Sequence, residues 1–498
     1  GGGPLGGNVP FSPRDDVDFR RPNPPGVEGV GNAIIADPEA AIAKLPAVPR
    51  DVGRASAWTA KAYKGRVLVY MHQYAAAITV LQDVKTNGPY ALETSFDHVW
   101  TGITSLANGK ETIFAYMASA NDGEPNGNNA NYGERLNFPH GGSPFGCCGF
   151  HQPSQNLANF FRVDAVTGLP LAYTQPIATW NARDAEWQAS ATDVVDPRMD
   201  WTIGRDNVPY KDWGIHDPTW IRAIGYGGPY SPKKTAYEQA SDAFSKVGWV
   251  GTQLSSMHIH LFRYADLLLL LAEAQVEQND LAGALVNVNL VRARAGVTAQ
   301  GCGSSGAALV ALYPQCASDS RLAVPINDAS ITWATYRVSP YPAFATQAQA
   351  RLAVQLERRL ELAMEGQRLF DLRRYGGAVA TQTMTDYLAR ETLAARRSYK
   401  AVQVPYASPK FDYFPIPTVQ IDLSVVGGES RLVQNPGWEL NRGPPRGRRM
   451  TYADRETPSL APGTADPGGA LMGLRAGTLP GAGEPPLRGG DGRVRGPP

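Results

Sequence analysis

The chain has 498 residues, 43% hydrophobic and 19% charged, enough apolar material for one large core or several domains. A formal net charge of +1 gives no global basic excess for nucleic acid. No run reaches the roughly 18 apolar residues of a transmembrane helix, and no basic-then-apolar leader opens the sequence. Residues 1–30 are rich in Gly, Pro, Asp and Arg and read as an extended segment. From Asp37 the pattern turns helical, with a capping Asp in DPEAAIAKLP. Residues 53–92 predict two antiparallel helices with a turn near His72-Gln73, a tetratricopeptide-like pair closed by Asn87-Gly88.

Residues 95–260 differ. They are rich in Gly, Asn, Pro and aromatics, with one short strand in ETIFAYMAS, and loops this long are uncommon unless functional. Helix resumes over 261–298, then over 346–373 and 378–395. The 346–373 helix is expected to bury Leu369, Phe370 and Leu372 against 263–296. Residues 400–438, with Pro405, Pro415 and Pro417, predict extended chain. The last 60 residues, 439–498, hold 23 Gly plus Pro, nine Arg, no Lys and six acids. Without an apolar period they are expected to be disordered, and no function is assigned to them. The expected organisation is thus an extended segment (1–30), a helical domain (31–438) with a loop-rich insertion at about 95–260, and a low-complexity tail (439–498).

Glu357, Glu361 and Glu365 recur every four residues, a spacing open to acid/base chemistry. Arg358, Arg359 and Arg368 are interleaved with them, so ion pairing is the expected role, as for Glu273 and Glu277. His258 and His260 have no third ligand at suitable spacing before Asp266, which argues against a metal. The Asn/Gly loop at 121–129 lacks an EF-hand register and reads as turns. In Gly225–Lys234, two prolines remove the amide donors that a phosphate loop needs. Of the four cysteines, Cys147 and Cys148 are adjacent, Cys302 and Cys316 bracket a small-residue loop, and the pairing stays open. No cofactor, metal site or catalytic motif is expected.

The aromatics of 180–230 point to carbohydrate. Sugar rings have apolar faces and polar rims, so their sites need an aromatic platform beside amide, carboxylate or guanidinium partners. Trp180, Trp187, Trp213, Trp220, Tyr226 and Tyr230 are the candidate ligand residues, with at least one Trp exposed. The loop 120–150 is the alternative location, and stapling of a loop-rich region by these aromatics is the competing explanation.

RYADLLLLLAEAQVEQNDLAGALVNVNLVRARAG (263–296), LERRLELAMEGQRLFDLRRYG (356–376) and YFPIPTVQIDLSVVGGESRLVQNPGW (413–438), in this order, resemble the SusD/RagB family. VDPRMDWTIGRDNVPYKDWG and HQPSQNLANFFRVDAVTGLPL are similar to further family passages. The resemblance implies a mainly α fold of tetratricopeptide-like pairs with a large loop-rich region and few short strands. It also implies a non-catalytic outer-membrane lipoprotein, on the extracellular face, that captures oligosaccharide or polysaccharide beside a SusC-like TonB-dependent barrel transporter. The family's lipid-attached cysteine and N-terminal helical block are expected to be missing from this chain, so any membrane link is through an anchor it lacks. Peptide capture by the same kind of importer and a helical-repeat adaptor are the alternatives.

Overall fold

A computed structural model describes residues 26–439 apart from 108, 147, 177–191, 240, 250–252, 302–322, 326–332 and 394–405. The expected tail and most of the expected N-terminal segment lie outside these residues. Helix α1 (Gly26–Lys44) begins earlier than the Asp37 cap predicts and carries Pro38 inside it. It packs on α2 (Ala57–Tyr70), which packs on α3 (Tyr74–Asn87). Ser56 starts α2 with a reciprocal capping box: its hydroxyl accepts from the Thr59 N–H at 3.1 Å, and the Thr59 hydroxyl accepts from the Ser56 N–H. His72, in the left-handed region at φ 59°, turns the chain into α3. Gly65 lets the two helices close, since a Cβ there would fall 2.4 Å from Leu81 Cδ2.

Strand β1 (Thr112–Tyr116) pairs antiparallel with β2 (Ile259–Arg263), Thr112 opposite Arg263, across the loop-rich region, which contains the short helix α4 (Gln155–Phe160). β2 runs directly into α5 (Tyr264–Glu277), whose Leu267–Leu271 are all fully buried. A helix apolar on every side has to be central. α5 is accordingly packed by α3, by α6 (Leu281–Ala295) and by α7 (Gln347–Glu361). The pairs α2/α3 and α5/α6 are the tetratricopeptide-like units, and their shared core is completed by Tyr341 and Phe344. The protein is mainly helical, with short two-stranded sheets only among the described residues.

The continuous helix expected over 346–373 is broken. α7 ends at Glu361, and α8 (Arg368–Arg374) begins after a turn in which Met364 (φ 65°) and Gly366 (φ 78°) are left-handed. The break rotates α8 relative to the α7 stripe. Leu372 is buried as expected, but Leu369 and Phe370 are about half exposed, at 45% and 49%. Their expected burial against 263–296 is therefore corrected. Phe370→Ala should cost under about 1 kcal/mol, as surface changes do, whereas Leu372→Ala should cost about 2–5 kcal/mol. Urea midpoints of the two variants check this. α9 (Gly377–Leu393) matches its prediction. The 406–439 segment is largely irregular, but Thr418–Leu423 forms a short helix directly after Pro417, because proline is tolerated at a helix entry.

Candidate functional site

The loop-rich region is held by side chains. Phe96, Trp100, Phe138, Phe145, Trp201, Tyr210, Trp220 and Tyr237 form a second, aromatic core. Phe145 lies at its centre, 5.0 Å from the Phe138 ring and 4.6 Å from Trp213. Most of the expected sugar platform is absorbed here. Trp220 is buried, 5.4 Å from the Tyr210 ring. Trp213 is half-buried, and its Nε1 donates to Tyr237 O at 2.7 Å. Tyr230 is fully buried in a third cluster with Phe160 and Phe161. Of the candidates described, Tyr226 alone is exposed, at 64%. Trp180 and Trp187 lie outside the described residues. Trp213, Trp220, Tyr226 and Tyr230 thus do not converge on one surface, since a loop region without regular core must bury its own large rings.

A different tryptophan is presented. Trp249 is 56% exposed. Its Nε1 donates to Gln253 Oε1 at 2.9 Å, and Gln253, itself buried, donates to Phe145 O at 2.9 Å. The exposed indole is thereby tied to the aromatic core. The Arg135 guanidinium lies 4.8 Å over the Trp249 ring and 5.2 Å over Tyr132. Gly248 (φ 94°) makes the approach possible, because a Cβ there would meet Asn126 O at 2.4 Å. Asn121 staples this loop pair, donating to Phe244 O and accepting from the Lys246 N–H, both at 2.8 Å. The Asn/Gly loop is therefore a turn scaffold, as expected. Trp249 escaped the sequence reading because it stands outside the dense 180–230 window. Its glycine-flanked position, KVGWVG, was the available signal.

The segment 131–137 also faces a cavity of about 210 Å³, lined by Trp100, Asn131, Glu134, Asn137, Thr235, His258, His260 and Glu365 among others. Glu134 Oε2 accepts from Asn137 at 2.7 Å and from Thr235 at 3.3 Å. His258 Nδ1 accepts from the Ala118 N–H at 3.2 Å, so the neutral ring carries its hydrogen on Nε2. That Nε2 and His260 Nδ1 are buried without hydrogen-bond partners among the described residues. Burial holds both imidazoles below their ordinary range, His260 at about 4, so both are neutral at pH 7. Among the described residues no group of three or more His, Cys, Asp or Glu is placed to hold a metal. Cys148 is disulfide-bonded, and its partner lies outside the described residues.

Behind the cavity lies a buried ion network. Five cations, Arg198, Lys234, Arg263, Arg292 and Arg294, meet five carboxylates, Glu111, Asp196, Glu357, Glu361 and Glu365. Glu361 joins Arg198 at 2.9 Å, Arg263 at 2.6 Å and Arg294. Burial alone would raise this carboxyl, but Arg294, Arg263 and Arg198 outweigh it and hold it well below the usual range. Glu365, likewise raised by burial, is held low by Arg263 and Lys234. Glu273 pairs with Arg374 and Glu277 with Arg351, both at 2.7 Å. Glu357, Glu361 and Glu365 are thus ion-paired as expected, but with Arg198, Arg263, Arg292, Arg294 and Lys234 rather than with the interleaved Arg358, Arg359 and Arg368. Lys233 and Lys234 are buried, donating to Pro209 O and Glu361 O rather than facing a phosphate.

A family model described as the SusD family matches residues 110–438. No curated protein matches the sequence. Among solved structures, a SusD superfamily protein from Bacteroides vulgatus aligns at 17% identity over 87% of this chain and 74% of its own, with a TM-score of 0.55. A SusD-like protein from Bacteroides fragilis aligns at 19% identity over 87% and 76%, also at 0.55. A SusD-like carbohydrate binding protein from the same species aligns at 20% identity over 84% and 75%, again at 0.55. At these identities the likeness carries the fold alone.

Proposed function

The chain belongs to the SusD family, and from that premise we propose that it is a non-catalytic glycan-binding component of a TonB-dependent nutrient uptake system. In this reading it works at the extracellular face of the outer membrane, lipid-anchored in its full-length form and docked on a SusC-like barrel transporter. Among the described residues no helix is long and apolar enough to cross a membrane. Two structural relatives are described as carbohydrate binding and laminarin binding, which supports a saccharide ligand here.

The observation that carries the reading is Trp249. It is a large exposed ring, fixed through Gln253 and flanked by Arg135 and Tyr132. A sugar stacks its C–H face on such a ring and offers its hydroxyls to neighbouring polar groups. The same segment carries Glu134 and Asn137, polar side chains that line the neighbouring cavity. A glycosidase would need a carboxylic acid kept protonated to donate to the leaving oxygen. Glu365, the carboxylate that lines the cavity with Glu134, is instead held ionised by Arg263 and Lys234.

Trp249→Ala should weaken binding of a ligand found in a polysaccharide panel at least about tenfold, roughly 1.4 kcal/mol, with an unchanged melting curve. Calorimetry on the wild type and the variant, with reducing ends assayed in parallel, measures both affinity and hydrolysis. Wild-type affinity in the variant would move the site away from Trp249. Binding of peptides alone would replace the saccharide, and released sugar would end the non-catalytic reading.

A further inference from the structure

Two arginines stand apart from the ion network. The fully buried arginines, inside that network and outside it, each meet a carboxylate, as Arg358 meets Asp266 at 2.7 Å and Asp371 at 2.9 Å. Arg359 and Arg368 meet none among the described residues. Arg359 donates to Asn156 Oδ1 and lies 3.3 Å over the Phe160 ring. Arg368 makes no hydrogen bond to a described residue, and its Nη1 is buried without a partner. Asp371, one turn further on, is engaged by Arg358 and Arg374 at 2.9 Å each. Burial and then the charge of Arg368 push the Arg359 guanidinium below its ordinary range, and burial does the same to Arg368. A guanidinium nevertheless stays protonated in water-accessible proteins, so two like charges are held together at a desolvation cost that no ion pair with a described residue offsets, the charge of Asp371 acting on Arg368 only at longer range.

Both side chains line the same two cavities. One, of about 270 Å³, lies between α7 and α9, with Arg390 and Tyr387 on its wall. The other, of about 310 Å³, is shared with His151, Ser154 and Met364. Asp386 is the acid on the first cavity, and its Oδ1 accepts from Gln382 at 2.8 Å. Three arginines against one aspartate leave that wall positive. We propose that Arg359 and Arg368 form a binding site for an oxyanion, a carboxylate or sulfate group that enters the cavity between α7 and α9. Planar guanidinium forks match such groups with paired, charge-assisted hydrogen bonds. The break after α7 is what places Arg368, from the start of α8, on the same cavity as Arg359. This site stands independently of the glycan reading.

The test is calorimetric titration of the full chain with sodium sulfate, sodium glucuronate and glucose, at an ionic strength held constant with sodium chloride. The wild type should bind at least one anion saturably and glucose not at all at this site. Arg359→Gln and Arg368→Gln should each weaken the anion at least about tenfold. Sulfate bound without glucuronate makes the ligand a free inorganic anion, and glucuronate bound makes it an acidic sugar. A second measurement separates binding from structure. Without added anion, Arg368→Met should melt at or above the wild-type temperature, because it removes a half-buried charge that pairs with no described carboxylate, while Arg358→Met should melt well below it. The proposal is overturned if no anion binds saturably, if both Gln variants bind as wild type, or if Arg368→Met melts as low as Arg358→Met.

Discussion

Glu361→Gln should destabilise the protein by about 3–5 kcal/mol, because it leaves Arg198, Arg263 and Arg294 buried around a neutral amide. The size follows from asymmetry. A complete buried network contributes little net stability, since each ion has lost its water, but removing one of five carboxylates leaves five cations with four anions and one positive charge that no water offsets. Glu277→Gln is the control. Its pair with Arg351 is solvent-accessible on both sides, at 22% and 40%, and the loss should stay within about 1 kcal/mol. Urea unfolding of the two variants checks the contrast, and equal midpoints would sink the central role of Glu361.

The same network fixes an acid limit. Burial opposes ionisation of Glu361, Glu365 and Asp371, but their arginine and lysine partners prevail, and all three carboxyls sit below their ordinary values. A depressed folded pKa gives stability that is fully present above the unfolded value, about 4 for carboxylates. It is lost as pH falls through that value toward the folded one. The melting temperature should therefore decline gently below about pH 6.5, where the unfolded chain protonates His258 and His260 while the fold keeps them neutral, and steeply below about 4.5. The Glu361→Gln variant should show a shallower fall, having already lost the largest member.

Trp220→Ala should cost about 3–5 kcal/mol and reduce ligand binding only through unfolding. Trp220 is 5% exposed and packs against Tyr210 and His216, each with ring centroids 5.4 Å away. Its removal opens a cavity in a core that has no regular secondary structure to hold it closed. Tyr226→Ala, at an exposed ring of the same region, should change stability by no more than about 0.5 kcal/mol. Thermal melts rank the two, and a Trp220→Ala variant as stable as wild type would return this residue to the candidate platform.

The helices and their pairing were legible in the chain because their causes are local. His72 and Gln73 turn, Asn87-Gly88 stops, and the five leucines at 267–271 mark an apolar helix, whereas the cap read at Asp37 falls inside α1. The spacing of Glu357, Glu361 and Glu365 announced ion pairing, since like charges at that spacing need compensation, but not that the partners would be distant cations rather than the interleaved arginines. The family resemblance rested on the same helices, and the match over 110–438 bears it out. Which ring faces solvent was not legible. Trp220, Trp213 and Trp249 all lie in sequence without an apolar period, and which of them is covered depends on what folds over them. The break after α7 was hidden for a related reason. Leu362–Gln367 keeps helical composition, and left-handed Met364 is held by tertiary contacts that place Glu365 on Arg263 and Lys234, 102 and 131 residues away in sequence. Local propensity therefore determined the elements of this protein. Burial and charge pairing between residues far apart in the chain decided its surfaces, because both depend on neighbours that no sequence window contains.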